Sequence, residues 1–273
     1  MLAFAAVPAL LLSFWLLPIA GASHLVRLQQ GLFAGGGVVL FVLLASRRFT
    51  WPVFNAQGVK VALALVTLLP PLLAGFEGVP NRWLLFWGMR LYVAPIVLPL
   101  TLFLFATAAR FTKVDAVAIA IVAIALMIQP DAAQATAFSL AMVLILARRF
   151  QQFRLRWAIA VLLLSCPIVT WQLPDLLAPV RYVEGVFQVA GEVSPLLFIL
   201  AIICVSFPIV GLVWSSYQQR TLAALAIAIY YSALLMQAPL QLTPVPLLGF
   251  GAGPILGYFM VAGVLSWRPG LKG

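Results

Sequence analysis

The sequence predicts an all-α integral membrane protein with about ten transmembrane helices in one domain, residues 1–273. Of its residues, 65% are hydrophobic and 8% are charged, whereas soluble domains carry about 25% charged residues. The apolar residues are gathered in ten segments, with short polar connections between them. No linker, low-complexity tract or soluble domain interrupts the chain, so we expect a single transmembrane domain.

The predicted helices follow from the apolar segments in chain order. Several segments are shorter than the ~20 residues that cross a bilayer, and short or broken spans are tolerated around a protein-lined cavity. The first segment has no basic residues before it, so we interpret it as a retained helix rather than a signal peptide. The ten segments are 2–22, 30–46, 59–76, 84–108, 114–129, 133–147, 157–173, 193–214, 221–238 and 251–267.

The distribution of lysine and arginine predicts the orientation. Four lie on one side of the predicted membrane, namely Arg27, Arg82, Arg90 and Arg181. The side with more basic residues is expected to be cytoplasmic, with both termini there. Five of the six acids then lie on the outer side: Glu77, Asp131, Asp175, Glu184 and Glu192. The other twelve basic residues are Arg47, Arg48, Lys60, Arg110, Lys113, Arg148, Arg149, Arg154, Arg156, Arg220, Arg268 and Lys272.

The composition argues against several functional classes. The two cysteines, Cys166 and Cys204, lie in apolar segments, which argues against a disulfide framework or a thiolate metal site. The single histidine, His24, argues against a histidine-rich metal centre. The net charge of +10 comes from basic residues that flank apolar segments, as orientation signals do. We therefore do not expect nucleic-acid binding.

The longest outer connection, about 174–192, contains the densest cluster of charge. Its stretch 181–192 carries Arg181 and the carboxylates Glu184 and Glu192, eight positions apart. Charge near hydrocarbon commonly marks a functional site. Apolar residues from Val183 onward follow helical spacing, and eight residues of helix extend ~12 Å. Glu184 and Glu192 are therefore not expected to form a close pair.

Four outer-side motifs resemble the SEDS family, the shape, elongation, division and sporulation proteins. Residues 183–192 resemble its T-D-F-I-F-x-V-I-A-E stretch, with the same interval between acids. Residues 129–131 and 135–137 resemble Q-P-D-x-G-T-A, 81–84 resemble R-R-W-I, and 242–247 resemble L-T-G-L-P-L. The motifs occur in the family's order, in the corresponding loops of a ten-helix protein.

This resemblance implies a SEDS/GT-C-like helical bundle with an outward-facing cavity. SEDS proteins are inverting glycosyltransferases that polymerise lipid-linked disaccharides into peptidoglycan, using a carboxylate base and groups that stabilise the departing diphosphate. By resemblance, Glu184 is the base and Arg82, Arg90 and Arg181 are diphosphate contacts. Asp131 and Glu192 are further substrate-binding positions. The need for a divalent cation stays open.

The resemblance also implies location and partners. We expect a multi-pass protein of the bacterial inner (plasma) membrane, in contact with membrane lipid. Its substrate would be a polyprenyl-diphosphate-linked saccharide. A single-pass class B penicillin-binding protein, or another envelope protein, would be its partner.

The chain departs from the family in ways that keep other functions open. Glu184 replaces an aspartate and moves the carboxylate out by ~1.5 Å, and a ~1 Å misplacement can cost about a hundredfold in rate. Residues 93–96 lack the Glu and Lys of the family's fourth helix, and the chain is shorter than usual. The alternatives are a non-catalytic relative that binds a partner or lipid-linked substrate, and a lipid-linked-precursor flippase or transporter.

Five of the six candidate residues also have a structural alternative. Glu184 is in a position to face a helix macrodipole, and Asp131 and Glu192 are suited to helix capping. The structural alternative for Arg82, which lies beside Trp83, is an anchor at the membrane interface. Arg90 lies ~12 Å deeper than Arg82 if one helix contains both, or it snorkels from an interfacial segment.

Overall fold

The computed structural model describes residues 1–46, 57–73, 82–86, 89–108, 110–173 and 178–266; at residues 85, 86, 89 and 90 it describes the backbone. Several residues assigned to membrane sides from the sequence lie outside these ranges. They are Glu77 and Asp175 of the predicted outer side, and Arg47, Arg48, Arg268 and Lys272 of the predicted inner side.

The described chain is a helical bundle with one β-hairpin. Each of the ten predicted apolar segments contains a helix, and six helices are long and apolar enough to cross a membrane. The polytopic α-helical class is therefore confirmed, and the number of spans stays a prediction. The helices are Leu2–Ala5 (α1), Val7–Ile19 (α2), His24–Ala45 (α3), Gln57–Leu73 (α4), Ala94–Thr107 (α5), Lys113–Ile128 (α6), Ala132–Arg149 (α7), Phe153–Gln172 (α8), Val186–Val193 (α9), Pro195–Gln219 (α10), Leu222–Gln237 (α11) and Ala252–Ser266 (α12), with a 3₁₀ turn at Ala238–Leu240.

The first part of predicted segment 84–108 is not helical. Strands Trp83–Phe86 (β1) and Met89–Tyr92 (β2) pair antiparallel, with Trp83 opposite Tyr92 and Leu85 opposite Arg90. Aromatic residues, which fit strands well, are frequent here, and α5 begins only after Val93 with a proline in its first turn, where proline is tolerated. The alternative that one helix contains both Arg82 and Arg90 is therefore wrong.

Glycines allow α12 to pack closely on α3 and α5. A Cβ added at Gly257 would lie 1.9 Å from the Pro95 carbonyl oxygen of α5. A Cβ added at Gly263 would lie 2.9 Å from the Leu44 Cβ of α3. Such small residues let helix backbones approach closely in membranes, where apolar surface alone gives little driving force for association.

A buried ion pair joins α4 to α6. The Lys60 ammonium lies 2.7 Å from an Asp115 carboxylate oxygen, with both side chains 5% exposed or less. Asp115 also accepts a hydrogen bond from the Thr112 backbone N–H, which completes a capping box at the start of α6. Each charge has a partner of opposite sign, and this pairing offsets part of the cost of removing the two charges from water.

Candidate functional site

A cavity of about 310 Å³ opens at the end of the bundle where α3, α5 and α12 begin. Its walls include Arg82 just before the hairpin, Tyr92 at the end of β2, and Glu184 in the stretch before α9. The loop between α11 and α12 closes another side through Leu242, Pro244 and neighbouring residues. The size lies at the lower end of the range for small-molecule sites.

Arg82 is held at the cavity by main-chain carbonyls. It is buried, with 5% of its surface exposed. Its Nε donates to the Gln129 carbonyl oxygen at 3.4 Å, and an Nη donates to the Pro130 carbonyl oxygen at 2.9 Å. These carbonyls immediately precede α7, so the start of α7 fixes the guanidinium beside the cavity.

Asp131 is a fully buried N-cap of α7. One carboxylate oxygen accepts a hydrogen bond from the Gln134 backbone N–H at 3.2 Å, as expected of a capping aspartate. The other accepts a hydrogen bond from the Tyr92 hydroxyl. Burial raises the pKa of Tyr92 well above its ordinary value, and the Asp131 carboxylate raises this pKa further. Tyr92 therefore remains a hydrogen-bond donor to Asp131 at neutral pH.

A buried polar network continues from Tyr92 towards α11. The Tyr92 hydroxyl also contacts Thr243. The Gln134 amide nitrogen lies 3.4 Å from the Thr243 hydroxyl, and the Tyr230 hydroxyl donates to the Gln134 carbonyl oxygen at 2.5 Å. The network ties the α11–α12 loop to the cap of α7. The sequence alone does not single out Tyr92, Gln134 and Tyr230, although Gln134 has the capping-box spacing from Asp131.

Glu184 lies on a tight turn at the cavity. The backbone N–H groups of Val183, Glu184 and Gly185 all point to the Val180 carbonyl oxygen, at 2.9, 3.0 and 3.2 Å. The Glu184 side chain accepts a hydrogen bond of 2.8 Å from the Val180 N–H. Helix α9 therefore begins at Val186 rather than at Val183 as predicted, and Glu184 is a half-buried residue of the cavity wall.

The loop between α11 and α12 supports this turn through its backbone. The Val245 N–H donates to the Val183 carbonyl oxygen at 3.3 Å, and the Phe250 N–H donates to the Tyr182 carbonyl oxygen at 2.8 Å. A Cβ added at Gly249 would lie 2.1 Å from the Val183 oxygen. Residue 249 must therefore be glycine for the two segments to approach this closely.

Arg181 and Glu192 do not line the cavity. They form an ion pair of 2.5 Å in which the side chains are 62% and 56% exposed. Glu192 lies in the last turn of α9, and the cap of α10 is Ser194, whose hydroxyl accepts from the Leu197 N–H. The capping alternative for Glu192 is therefore wrong. Arg90 lies on β2, and its side chain is outside the described part of the structure.

The cavity combines two chemical functions. Glu184 offers a carboxylate within reach of solvent, and Arg82 is the cation that lines the cavity among the described residues. A positioned carboxylate can accept a proton, and a fixed guanidinium can stabilise phosphate charge. Within the same described ranges, no three His, Cys, Asp or Glu residues converge as a metal site would require.

Comparisons with known proteins identify the fold. No family model matches the chain, and no curated protein matches it. The crystal structure of the Thermus thermophilus rod shape determining protein RodA is similar with a TM-score of 0.68 and 17% identity, covering 97% of this chain and 94% of that chain. An aspartate-to-alanine mutant of that RodA gives a TM-score of 0.66, with 17% identity and coverages of 97% and 95%.

A third similar structure comes from a peptidoglycan synthase complex described as coordinating polymerization and crosslinking. Its TM-score is 0.63, with 17% identity and coverages of 97% of this chain and 95% of that chain. The similarities extend over almost the whole chain, from the N-terminal helices to α12. The fold expected from the resemblance to the SEDS family is thus confirmed, and this chain has the polytopic membrane fold of RodA.

Proposed function

We propose that this chain is a SEDS-like membrane protein of cell-envelope synthesis. It transfers or polymerises sugars from a polyprenyl-diphosphate-linked donor at the outer face of the bacterial inner membrane, towards peptidoglycan or a related polysaccharide. The observation that carries the proposal is the presence of Glu184 and Arg82 in the wall of one cavity. Three of the four motif segments contribute Arg82, Glu184 and Leu242 to the cavity wall, and carbonyls of the fourth, at Gln129 and Pro130, hold Arg82 there. The RodA fold also supports the proposal.

In this reaction the Glu184 carboxylate takes the proton of the acceptor hydroxyl. The hydroxyl oxygen then forms a bond to the anomeric carbon, and the bond from that carbon to the diphosphate oxygen breaks with inversion. The electron pair leaves with the diphosphate, and Arg82 stabilises the resulting charge. The Val180 N–H orients the carboxylate before substrate arrives.

Partners follow from the same proposal. The similar chain from a peptidoglycan synthase complex supports an envelope partner that performs crosslinking. We propose a single-pass class B penicillin-binding protein for this role.

The decisive variant is Glu184→Gln, assayed in the full-length protein in liposomes with a lipid-linked disaccharide. We expect product formation to fall by at least about a hundredfold, as loss of a general base does. Glu192→Gln is the matched control, because it removes an acid from the exposed surface. Equal thermal unfolding of the two variants excludes misfolding as the cause. Unchanged synthesis by Glu184→Gln refutes the glycosyltransferase assignment.

A non-catalytic role is the second candidate. It is favoured by the use of Arg82 and Glu184 in hydrogen bonds to the chain itself. A binding protein would retain the lipid-linked saccharide without converting it, and Glu184→Gln would be silent. A flippase would instead move the labelled lipid across the liposome bilayer, which a translocation assay detects directly.

A further inference from the structure

A second cavity, of about 510 Å³, opens at the other end of the bundle. It lies where the connection from α5 to α6 meets the connection from α7 to α8. The lining residues are Arg110, Phe111, Arg149, Phe150, Gln151 and Gln152. None of them is acidic. The cavity is therefore polar, positively charged and separate from the wall that contains Glu184.

Aromatic rings support the base of this cavity. The Phe150 side chain is buried, and its ring meets that of Phe111 edge to face with centroids 5.0 Å apart. Phe111 in turn stacks on Phe105 of α5, with centroids 5.7 Å apart. These contacts join the two connections, so the backbones that carry Arg110 and Arg149 are packed together.

The two arginines of this cavity have no counter-charge in the described structure. Both are exposed, and neither guanidinium makes an ion pair or hydrogen bond with any described residue. Lys60, in contrast, has Asp115 as its partner. Two unpaired guanidiniums beside two glutamine amides match a phosphate group, which arginine binds through paired N–H donors.

The neighbouring first turn of α8 indicates that the cavity lies at the membrane interface. Phe153 and Trp157 are 66% and 53% exposed. The Arg156 guanidinium lies 5.8 Å from the Phe153 ring centroid and 5.9 Å from that of Trp157. Exposed aromatic residues with an arginine are typical of the headgroup level of a bilayer.

We propose that this cavity binds the headgroup of an anionic phospholipid, with Arg110 and Arg149 on the phosphate. The lipid would come from the leaflet predicted to be cytoplasmic, which is rich in anionic lipid. Its acyl chains would lie along the apolar residues of α8 that follow Trp157, among which Val161 and Leu164 are exposed. This site is independent of the proposed glycosyltransferase activity, since it lies at the opposite end of the bundle.

The test measures binding of a short-chain phosphatidylglycerol to the purified full-length protein. Each basic residue near an anionic lipid contributes roughly fivefold to affinity, so Arg110→Gln with Arg149→Gln should weaken binding about 25-fold. The matched control is Arg148→Gln with Arg154→Gln, which removes the same charge from the same face but not from the cavity lining. We expect a change of at most about twofold in the control.

Further measurements distinguish a lipid headgroup from free phosphate, and a specific site from diffuse surface charge. Equal losses in the two double variants would show diffuse surface charge and overturn the proposal. Equal binding of phosphatidylcholine, or displacement of the lipid by inorganic phosphate at the same concentration, would also overturn it. Arg110→Lys with Arg149→Lys keeps the charge and removes the paired donors. Its binding should be intermediate, and this variant replaces the first if the Gln pair fails to fold.

Discussion

Replacement of Tyr92 by phenylalanine tests the buried network beneath the candidate site. The hydroxyl of Tyr92 donates to Asp131, which is completely buried at the start of α7. A hydrogen bond to a charged group contributes about 1.5–3 kcal/mol. Tyr92→Phe deletes this donor and leaves the carboxylate in place, so we expect the free energy of unfolding to fall by about 1.5–3 kcal/mol.

Tyr231→Phe is the matched control for this measurement. Tyr231 is also a buried tyrosine, but its hydroxyl has no hydrogen-bond partner within the described structure. Removing an unsatisfied buried hydroxyl is close to neutral or stabilising. Denaturant unfolding of both variants in the same detergent gives the comparison. A Tyr92→Phe variant that is no less stable than Tyr231→Phe would refute the role of Tyr92 at Asp131.

Three further predictions concern helix packing and charge. Gly257→Ala should prevent normal folding or lower stability by several kcal/mol, because its Cβ would overlap the Pro95 oxygen; thermal unfolding measures this, and a wild-type melting temperature would contradict the packing. Lys60→Met should lower the free energy of unfolding by about 3–5 kcal/mol, since it leaves Asp115 buried without its cation. Adding Asp115→Asn should restore part of this loss in a double-mutant cycle. Additive effects of the two substitutions would contradict the ion pair. Arg181→Gln should change stability by less than about 1 kcal/mol, as expected of an exposed pair; a larger loss in denaturant unfolding would show that the pair is structural.

The helices could be predicted because each of the ten apolar segments is a continuous stretch of the sequence. The β-hairpin could not be predicted in this way. Residues 84–108 are mostly apolar, with Arg90 as their one charge. The short apolar stretches on either side of Arg90 fit a helix or a buried strand equally well by periodicity alone. The distinction depends on cross-strand pairing, for example of Trp83 with Tyr92 nine positions later, which apolar periodicity does not show. It also depends on Pro95, which marks the first turn of α5.

The candidate site could be predicted only in part, because the sequence indicates which residues share a side of the membrane but not which side chains meet. The predicted topology puts Arg82 and Glu184 on the same side of the membrane, and the structure has both residues in the wall of one cavity. The sequence does not show the direction of each side chain. The turn on the Val180 carbonyl sets that direction, and Arg181 pairs with Glu192 on the surface rather than lining the cavity with Glu184.

The same turn gives a physical reason why glutamate can occupy a position where the SEDS family has aspartate. An added methylene extends the carboxylate by ~1.5 Å, which would misplace a base whose side chain pointed straight into the cavity. Glu184 instead folds back along its own turn, where its carboxylate accepts the Val180 N–H. In the proposed reaction, this return would shorten the reach of the side chain and offset part of the extra methylene. The backbone N–H groups of Val245 and Phe250 donate to this turn, so the position of the carboxylate also depends on the α11–α12 loop.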